Sequence, residues 1–145
     1  ILAINDHELL VLERDNRSLI AATPQEPTRK SIYRIDLTGA TDVSDITLPA
    51  TGALPAGVVA VAKSEFINLL DDAYGLKPTI AEKLEGLAWG EDLRDGRHLL
   101  YVVSDNDLNP DQATQLYAFA VPDEIAAVQE QVLPRPIFPP HHHRH

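Results

Sequence analysis

The sequence contains no cysteine, so it has no disulfide, no thiolate nucleophile and no zinc site built on cysteine. No apolar run approaches the roughly 20 residues that a membrane-spanning helix needs, and the sequence therefore predicts no membrane span. Basic residues are scarce, 12 against 22 acidic ones, and the formal net charge is −10. This charge disfavours nucleic acid and anionic membranes as partners, and it permits cations such as Ca²⁺.

Methionine is also absent, and the chain begins at Ile1. We therefore expect that this N-terminus is not a translation start and that processing, cleavage or incomplete coverage produced it. An export signal could then precede it. Apolar material is sufficient for a core, since 44% of the 145 residues are hydrophobic, and a chain of this length usually forms one domain.

Residues 82–121 form the most informative segment, in which short strands alternate with acidic turns. An apolar run at 85–90 ends at Gly90, and Asp95-Gly96 predicts a tight hairpin turn into a second strand at 99–103. This second strand is apolar throughout, so we expect it near the middle of a sheet with both faces covered. A polar loop and a third strand at 114–121 follow, an arrangement typical of a propeller blade.

The remaining segments are predicted with the same rules. Residues 1–14 predict a hairpin, and residues 30–37 alternate like a half-buried strand. Residues 63–74 fit either a short helix or a strand. Beyond residue 121 the sequence predicts a helix over 122–131 and then a proline-rich tail that lies extended.

Several motifs carry a resemblance to a known family. They are EGLA at 85–88, DGR at 95–97, VSDN at 103–106, TQLYAF at 114–119, LVLERD at 10–15, and YRIDL at 33–37 followed by GATDV at 39–43. These motifs resemble the phytase-like family, often labelled esterase-like activity of phytase, over residues 1–121 in the expected order. The resemblance also favours the strand over the helix at 63–74.

The resemblance implies an all-β fold that is part of a β-propeller. Residues 1–121 would form its C-terminal blades, about the C-terminal half, and 122–145 the short helix and the Pro/His-rich tail. It also implies a bacterial, extracytoplasmic protein, either periplasmic or secreted. A partial propeller would expose unpaired strand edges. We therefore expect the N-terminal remainder of the propeller as a partner, either as a companion chain or as a further segment.

In such a propeller, side chains at strand boundaries point toward the central channel or one rim. The predicted metal ligands, for Ca²⁺, are Glu13, Glu85, Asp105 and Asp107, because calcium prefers several oxygen ligands. The predicted catalytic residues are Glu85 and Asp105, which would act on a phosphate ester through an activated water. The predicted substrate-binding residues, for a small phosphorylated ligand, are Arg14, Asn106 and Gln115.

Structural interpretations compete with these roles. Glu13 and Arg14 could form a structural pair, and Glu85 could simply accept backbone N–H groups at a strand start. Residues 105–111 could be a solvated turn or a calcium loop. They do not form an EF-hand, because Pro110 and Leu116 occupy the positions that require glycine and glutamate.

The aromatic and histidine side chains also have structural interpretations. Trp89 and Tyr117 are predicted to be core aromatics rather than a ligand platform. The histidines within 141–145 fit a native tail or a cloning remnant better than a transition-metal site.

Two function classes follow. The first is a secreted, metal-assisted phosphoric ester hydrolase of phytase-like type. The second is a non-catalytic, calcium-stabilised propeller that acts as a binding or interaction module, since fold alone does not determine activity. No Gly-x-Ser-x-Gly elbow supports a serine nucleophile, and no glycine-rich phosphate loop is present. The few basic residues disfavour phytate itself, since many phosphates need many cations.

Overall fold

The structure, a computed structural model, describes residues 1–129. Its regular structure consists of two antiparallel sheets and two single turns of 3₁₀ helix at Asp72–Tyr74 and Lys77–Thr79. The strands are β1 (Leu2–Ala3), β2 (Glu8–Arg14), β3 (Lys30–Asp36), β4 (Ala62–Asn68), β5 (Lys83–Trp89), β6 (His98–Asp105) and β7 (Leu116–Val121).

Each sheet is a simple meander. The first sheet has the order β1-β2-β3-β4 and the second has the order β5-β6-β7. All neighbouring strands are antiparallel, so every strand pairs with the strand that precedes or follows it in the sequence. This arrangement confirms an all-β fold.

One apolar core joins the two sheets. Leu10 and Ile32 of the first sheet and Leu84, Leu100 and Val102 of the second are almost completely buried in the same cluster. Burying a side chain of this size contributes roughly 1.5–3 kcal/mol relative to leaving it exposed. The alternate positions of each strand therefore supply the attraction that packs the sheets together.

β6 departs from the prediction that both of its faces are covered. The strand does lie at the centre of the second sheet, between β5 and β7. However, its burial alternates: Leu100 and Val102 are fully buried, whereas Val103 is 37% exposed. The prediction was wrong because only one face of β6 packs against the first sheet in the part of the chain described.

The predicted hairpin at 1–14 is confirmed by β1 and β2, and the predicted strand at 30–37 by β3. The Asp95-Gly96 turn is also present, with Gly96 at a φ of 85° that favours glycine. The predicted tight hairpin is wrong, because a loop of residues 90–97 joins the two strands. Within this longer loop, the N–H of Leu93 donates to the carbonyl of Arg97.

Residues 62–68 form strand β4, which confirms the strand interpretation for the first half of 63–74, whereas the second half contains a turn and the 3₁₀ helix at Asp72–Tyr74. The helix predicted over 122–131 is wrong over the described part, 122–129, which contains a turn at 123–125 and no helix. Ala126 is buried instead, and the N–H of Gln129 donates to the carbonyl of Ile4 at 2.8 Å. A helix this short is marginal in water, so tertiary contacts determine whether it forms. The proline-rich tail and its histidines lie outside the described residues.

The two sheets do not close into a ring. The propeller therefore remains a prediction, while the all-β class is confirmed.

Candidate functional site

Strand ends from both sheets meet at one rim of the molecule. β2 ends at Arg14, opposite Lys30 at the start of β3, and β5 begins at Lys83, opposite Asp105 at the end of β6. An ion pair between Arg14 and Glu85 connects these two sets of strand ends. We call this cluster the charged rim, and it consists of Arg14, Asp15, Lys30, Lys83, Glu85, Asp105 and Asp107.

Arg14 lies on the same face of β2 as Leu10 and Leu12, which pack against the core. Its Nη2 donates to Oε1 of Glu85 at 2.6 Å, and its Nη1 donates to Asn16. The predicted substrate-binding arginine and the predicted catalytic glutamate thus meet, although they are 71 residues apart in the sequence.

Glu13 lies apart from this pair, because consecutive residues of a strand point to opposite faces. It forms ion pairs with Lys63 and, at 3.7 Å, with Arg29. Lys63 in turn lies 4.2 Å above the centre of the Tyr33 ring. The structural pair considered for Glu13 and Arg14 is therefore replaced by separate partners, and Glu13 is not brought to Glu85.

Lys30 is a rim residue that sequence reasoning missed. Its side chain is fully buried, and its Nζ donates to the carbonyl oxygens of Asp15 at 2.8 Å and Glu82 at 2.5 Å. It also lies 3.3 Å from Oδ1 of Asp15. Burial lowers the pKa of Lys30, and the hydrogen bond that Lys30 donates to Asp15 opposes this shift. Lys30 therefore connects the end of β2 to the start of β5.

Asp15 is strongly stabilised as a carboxylate. Burial alone would raise the pKa of Asp15, but hydrogen bonds from Thr28, Lys30 and the Arg29 backbone outweigh it and lower the pKa to about 2. The N–H of Thr28 lies 2.7 Å from Oδ2 and its hydroxyl 2.8 Å. Asp15 therefore carries a full negative charge next to Lys30 at neutral pH.

The acidic residues after β6 also have partners. Lys83 forms an ion pair with Oδ2 of Asp107 at 2.6 Å, and Asp105 accepts the N–H of Asp107 through Oδ1 at 2.9 Å. The hydrogen bond with Asp107 raises the pKa of Lys83, so the lysine stays charged. The structure thus places Asp105 and Asp107 next to each other at the rim, with a cation on Asp107.

Asn106 and Gln115 make contacts within their own segment. The Asn106 amide donates to the carbonyls of Asn109 and Gln112 and shapes the loop. Gln115 accepts a hydrogen bond from the Tyr117 hydroxyl at 2.5 Å. That hydroxyl accepts the N–H of Ala81, so these contacts support the interpretation of Tyr117 as a structural aromatic.

The predicted calcium ligands do not converge on one position. Among residues 1–129, no group of three or more histidine and carboxylate side chains lies close enough to hold a common metal ion. Glu85 and Asp107 each bind a cationic side chain, and Glu13 lies on another face. This arrangement does not fit the six to eight oxygen ligands that calcium takes. The calcium site remains a prediction.

A second polar cluster, also missed from the sequence, surrounds His98. Nδ1 of this buried imidazole lies 2.8 Å from Asp92, and Nε2 lies 3.0 Å from Asp123. Hydrogen bonds with Asp123 and, to a smaller extent, with Asp92 raise the pKa of His98. Trp89 packs edge-on to His98, with its Nε1 donating to the carbonyl of Ala3 at 2.7 Å. Asp92 lies six residues before His98 in the sequence, whereas Asp123 is 25 residues away and Ala3, the partner of Trp89, is 86 residues from that tryptophan.

The fold and the rim define an all-β protein of two antiparallel sheets with paired charges between the strand ends. One family model, described as Phytase-like: Esterase-like activity of phytase, matches residues 1–108. The chain belongs to this phytase-like family. The comparison with curated proteins found no match, and the comparison with solved structures found none either. In the part of the chain that the structure describes, no helix has the length and apolar character needed to cross a membrane.

Proposed function

We propose that this chain is part of an extracytoplasmic phosphoric ester hydrolase of phytase-like type, with the charged rim as its site. The observation that carries the proposal is the contact between Arg14 and Glu85, 2.6 Å apart, between the two sheets. Arginine presents paired donors that match phosphate oxygens, and a carboxylate beside it can accept a proton from water. Family membership supports the same reaction class.

In this proposal a substrate phosphate replaces Glu85 as the partner of Arg14. The released Glu85 then accepts a proton from the water that attacks phosphorus, the bond between phosphorus and the ester oxygen breaks, and that oxygen takes up the proton and leaves as the alcohol. Asp105 is the second carboxylate proposed for proton transfer, with Asn106 and Gln115 as further phosphate contacts. Glu85 is 45% exposed, so water reaches it without a conformational change.

Calcium belongs to the proposal only as an ion that competes with side-chain cations for these carboxylates. Binding at Glu85 or Asp107 would require Arg14 or Lys83 to release its partner. We therefore assign no reaction step to a metal.

The N-terminal remainder of a propeller is the proposed partner. Support comes from the second face of β6 and its neighbours, where apolar side chains are only partly covered. Val103 is 37% exposed and Leu116 is 64% exposed, and these two residues pair across the sheet. An apolar sheet face of this kind suits packing against another sheet.

A phosphomonoester assay on the protein, with any co-purifying chain retained, tests the enzyme proposal. Glu85→Gln should lower turnover by about 100-fold, which is typical for loss of a general base. Glu91→Gln is the matched control, since Glu91 is exposed and lies in the loop after β5. Equal rates for the two variants, or no turnover by the wild type with and without Ca²⁺, would overturn the proposal.

The second candidate is a non-catalytic module that binds a partner or a small ligand. It is favoured by the ion pairs that neutralise Glu85 and Asp107, because such pairs also serve to fix loops and strand ends. An increase in Tm with Ca²⁺, without turnover, would support this alternative.

A further inference from the structure

A cavity of about 590 Å³ lies at the opposite end of β5 from the charged rim. β5 begins at Lys83 in the rim and ends at Trp89 in the cavity wall. The two sites approach each other along this strand, since Glu85 of the rim and Leu87 of the cavity wall are two residues apart, but no residue belongs to both. The volume of the cavity falls in the range of roughly 300–1,000 Å³ that is usual for small-molecule pockets.

The wall of the cavity combines apolar and polar groups in nearly equal shares. Leu2 comes from the first sheet, Leu87 and Trp89 from the second, and Val128 from the segment after β7. The indole N–H of Trp89 is bound to the carbonyl of Ala3, so the ring is held in place and presents its apolar surface. The polar lining consists of Asp92, His98 and Gln129.

The charge at the polar side is negative. His98 contacts a carboxylate through each ring nitrogen, Asp92 at 2.8 Å and Asp123 at 3.0 Å. With the imidazole protonated, the three side chains sum to one negative charge, and with the imidazole neutral they sum to two. Asp92 is 62% exposed, so its carboxylate is accessible to a ligand.

The apolar wall and the acidic groups together select a ligand by charge as well as by shape. Both ring nitrogens of His98 are engaged by Asp92 and Asp123, which leaves the acidic groups as the accessible polar partners. A cation gains from Asp92 and from the face of an indole such as that of Trp89. An anion would be repelled by Asp92 and Asp123, and the net charge of −10 adds to this preference.

We propose that this cavity binds a small organic cation with an apolar body, such as a primary amine attached to a hydrocarbon ring. The ring packs against Leu2, Leu87 and Val128, and the ammonium group lies between Asp92 and Trp89. The proposal does not depend on the hydrolase proposal, because no residue of the charged rim takes part.

Fluorescence of Trp89, the single tryptophan of the chain, gives a direct measurement. Titration with cyclohexylmethylamine should produce a saturable change in emission. Cyclohexylmethanol and cyclohexanecarboxylate have the same ring with a neutral or an anionic group, and we expect them to bind about tenfold more weakly or not at all. Methylammonium, a cation without the ring, should also bind weakly because it buries little apolar surface.

Two variants test the two halves of the site. Asp92→Asn should weaken binding of the amine by about tenfold, because a charge-assisted hydrogen bond becomes a neutral one. Asp45→Asn makes the same charge change at an exposed carboxylate outside the cavity lining and should leave binding unchanged. Val128→Phe should block the cavity, whereas Val59→Phe, at a 55% exposed position, should not.

A thermal melt of each variant separates loss of binding from loss of folding. If Val128→Phe unfolds the protein, Asp92→Asn and the three ring ligands still decide the question. Equal affinity for the amine and the carboxylate would overturn the proposal, and so would an Asp92→Asn variant that binds like the wild type. The absence of any saturable change in emission would also overturn it.

Discussion

The Nζ of Lys30 lies 2.5 Å from the carbonyl oxygen of Glu82, and this hydrogen bond connects the first sheet to the start of β5. The same Nζ donates to the carbonyl of Asp15, so one buried cation holds two chain segments together. A buried charge is costly unless its partners are complete. These contacts therefore account for a buried charged residue at the rim where the two sheets meet.

Lys30→Met should destabilise the protein by about 2–4 kcal/mol, because it leaves two carbonyl oxygens and Asp15 without their buried donor. The midpoint of urea unfolding measures this loss. Lys77→Met is the control, since Lys77 is partly exposed and pairs with Glu26, and surface pairs contribute only about 0–1 kcal/mol. If both variants lose the same stability, Lys30 does not hold the two sheets together.

Asp15 should make the protein sensitive to acid. Hydrogen bonds from Thr28, Lys30 and the Arg29 backbone outweigh burial and hold the pKa of Asp15 at about 2, below its ordinary value of 3.8. A carboxylate with a lowered pKa stabilises the fold at pH values above its ordinary pKa, and this contribution is lost as the pH falls toward 2.

Asp15→Asn should therefore reduce the stability of the protein at neutral pH and make it depend less on pH between about 4 and 2. The contribution at stake is at most roughly 2.5 kcal/mol. Chemical denaturation at several pH values measures it, with Asp45→Asn at an exposed carboxylate as the comparison. An unchanged acid slope in Asp15→Asn would contradict the assignment.

The sequence predicts the strands well because their signals are local. Alternation in 30–37 and the Asp95-Gly96 turn depend on neighbouring residues, and these features are present. The family resemblance identified Arg14 and Glu85, but it could not show that they pair, since sheet packing brings them together. Lys30 was missed for the same reason, since its partners Asp15 and Glu82 lie 15 and 52 residues away. His98 was missed although Asp92 is only six residues away, because the second carboxylate, Asp123, is 25 residues away and a buried cation has no pattern of its own.

The covered face of β6 was mispredicted for a related reason. An apolar strand indicates that both faces can be buried, but it does not say whether the chain supplies a cover for each. Leu100 and Val102 face the first sheet, while Val103 lies on the other side and stays 37% exposed. The composition of a strand shows which faces can be buried, whereas the packing of the sheets determines which face is buried.

Gly86 lies at an irregular register between β5 and β6, directly opposite Val103. A Cβ atom added at Gly86 would collide with Cγ1 of Val103. Gly86→Ala should therefore destabilise the protein by about 1–3 kcal/mol, which is usual for overpacking.

A double-mutant cycle with Val103→Ala tests this steric account. Shortening Val103 should restore part of the stability that Gly86→Ala loses, so the two changes should not be additive. Urea unfolding of the two single variants and the double variant measures the coupling. Strictly additive losses would show that Gly86 is needed for its backbone conformation rather than for the space it leaves.

The stability of the protein should also fall as the pH rises through the pKa of His98. Asp123 and Asp92 raise this pKa above 6.5 by hydrogen-bonding both ring nitrogens. A histidine with a raised pKa stabilises the fold fully at pH values below about 6.5, its pKa in the unfolded chain. This contribution is lost as the pH rises past the pKa in the folded protein.

NMR titration of the His98 imidazole measures the shift directly. Asp123→Asn should lower the pKa of His98, and Glu124→Gln, which alters an exposed neighbour, should not. Because the Asp36 hydrogen bond also raises the pKa of His7, His7→Gln removes the competing contribution to the pH slope. If His98 then titrates near 6.5, the two carboxylates do not hold it as an imidazolium in solution.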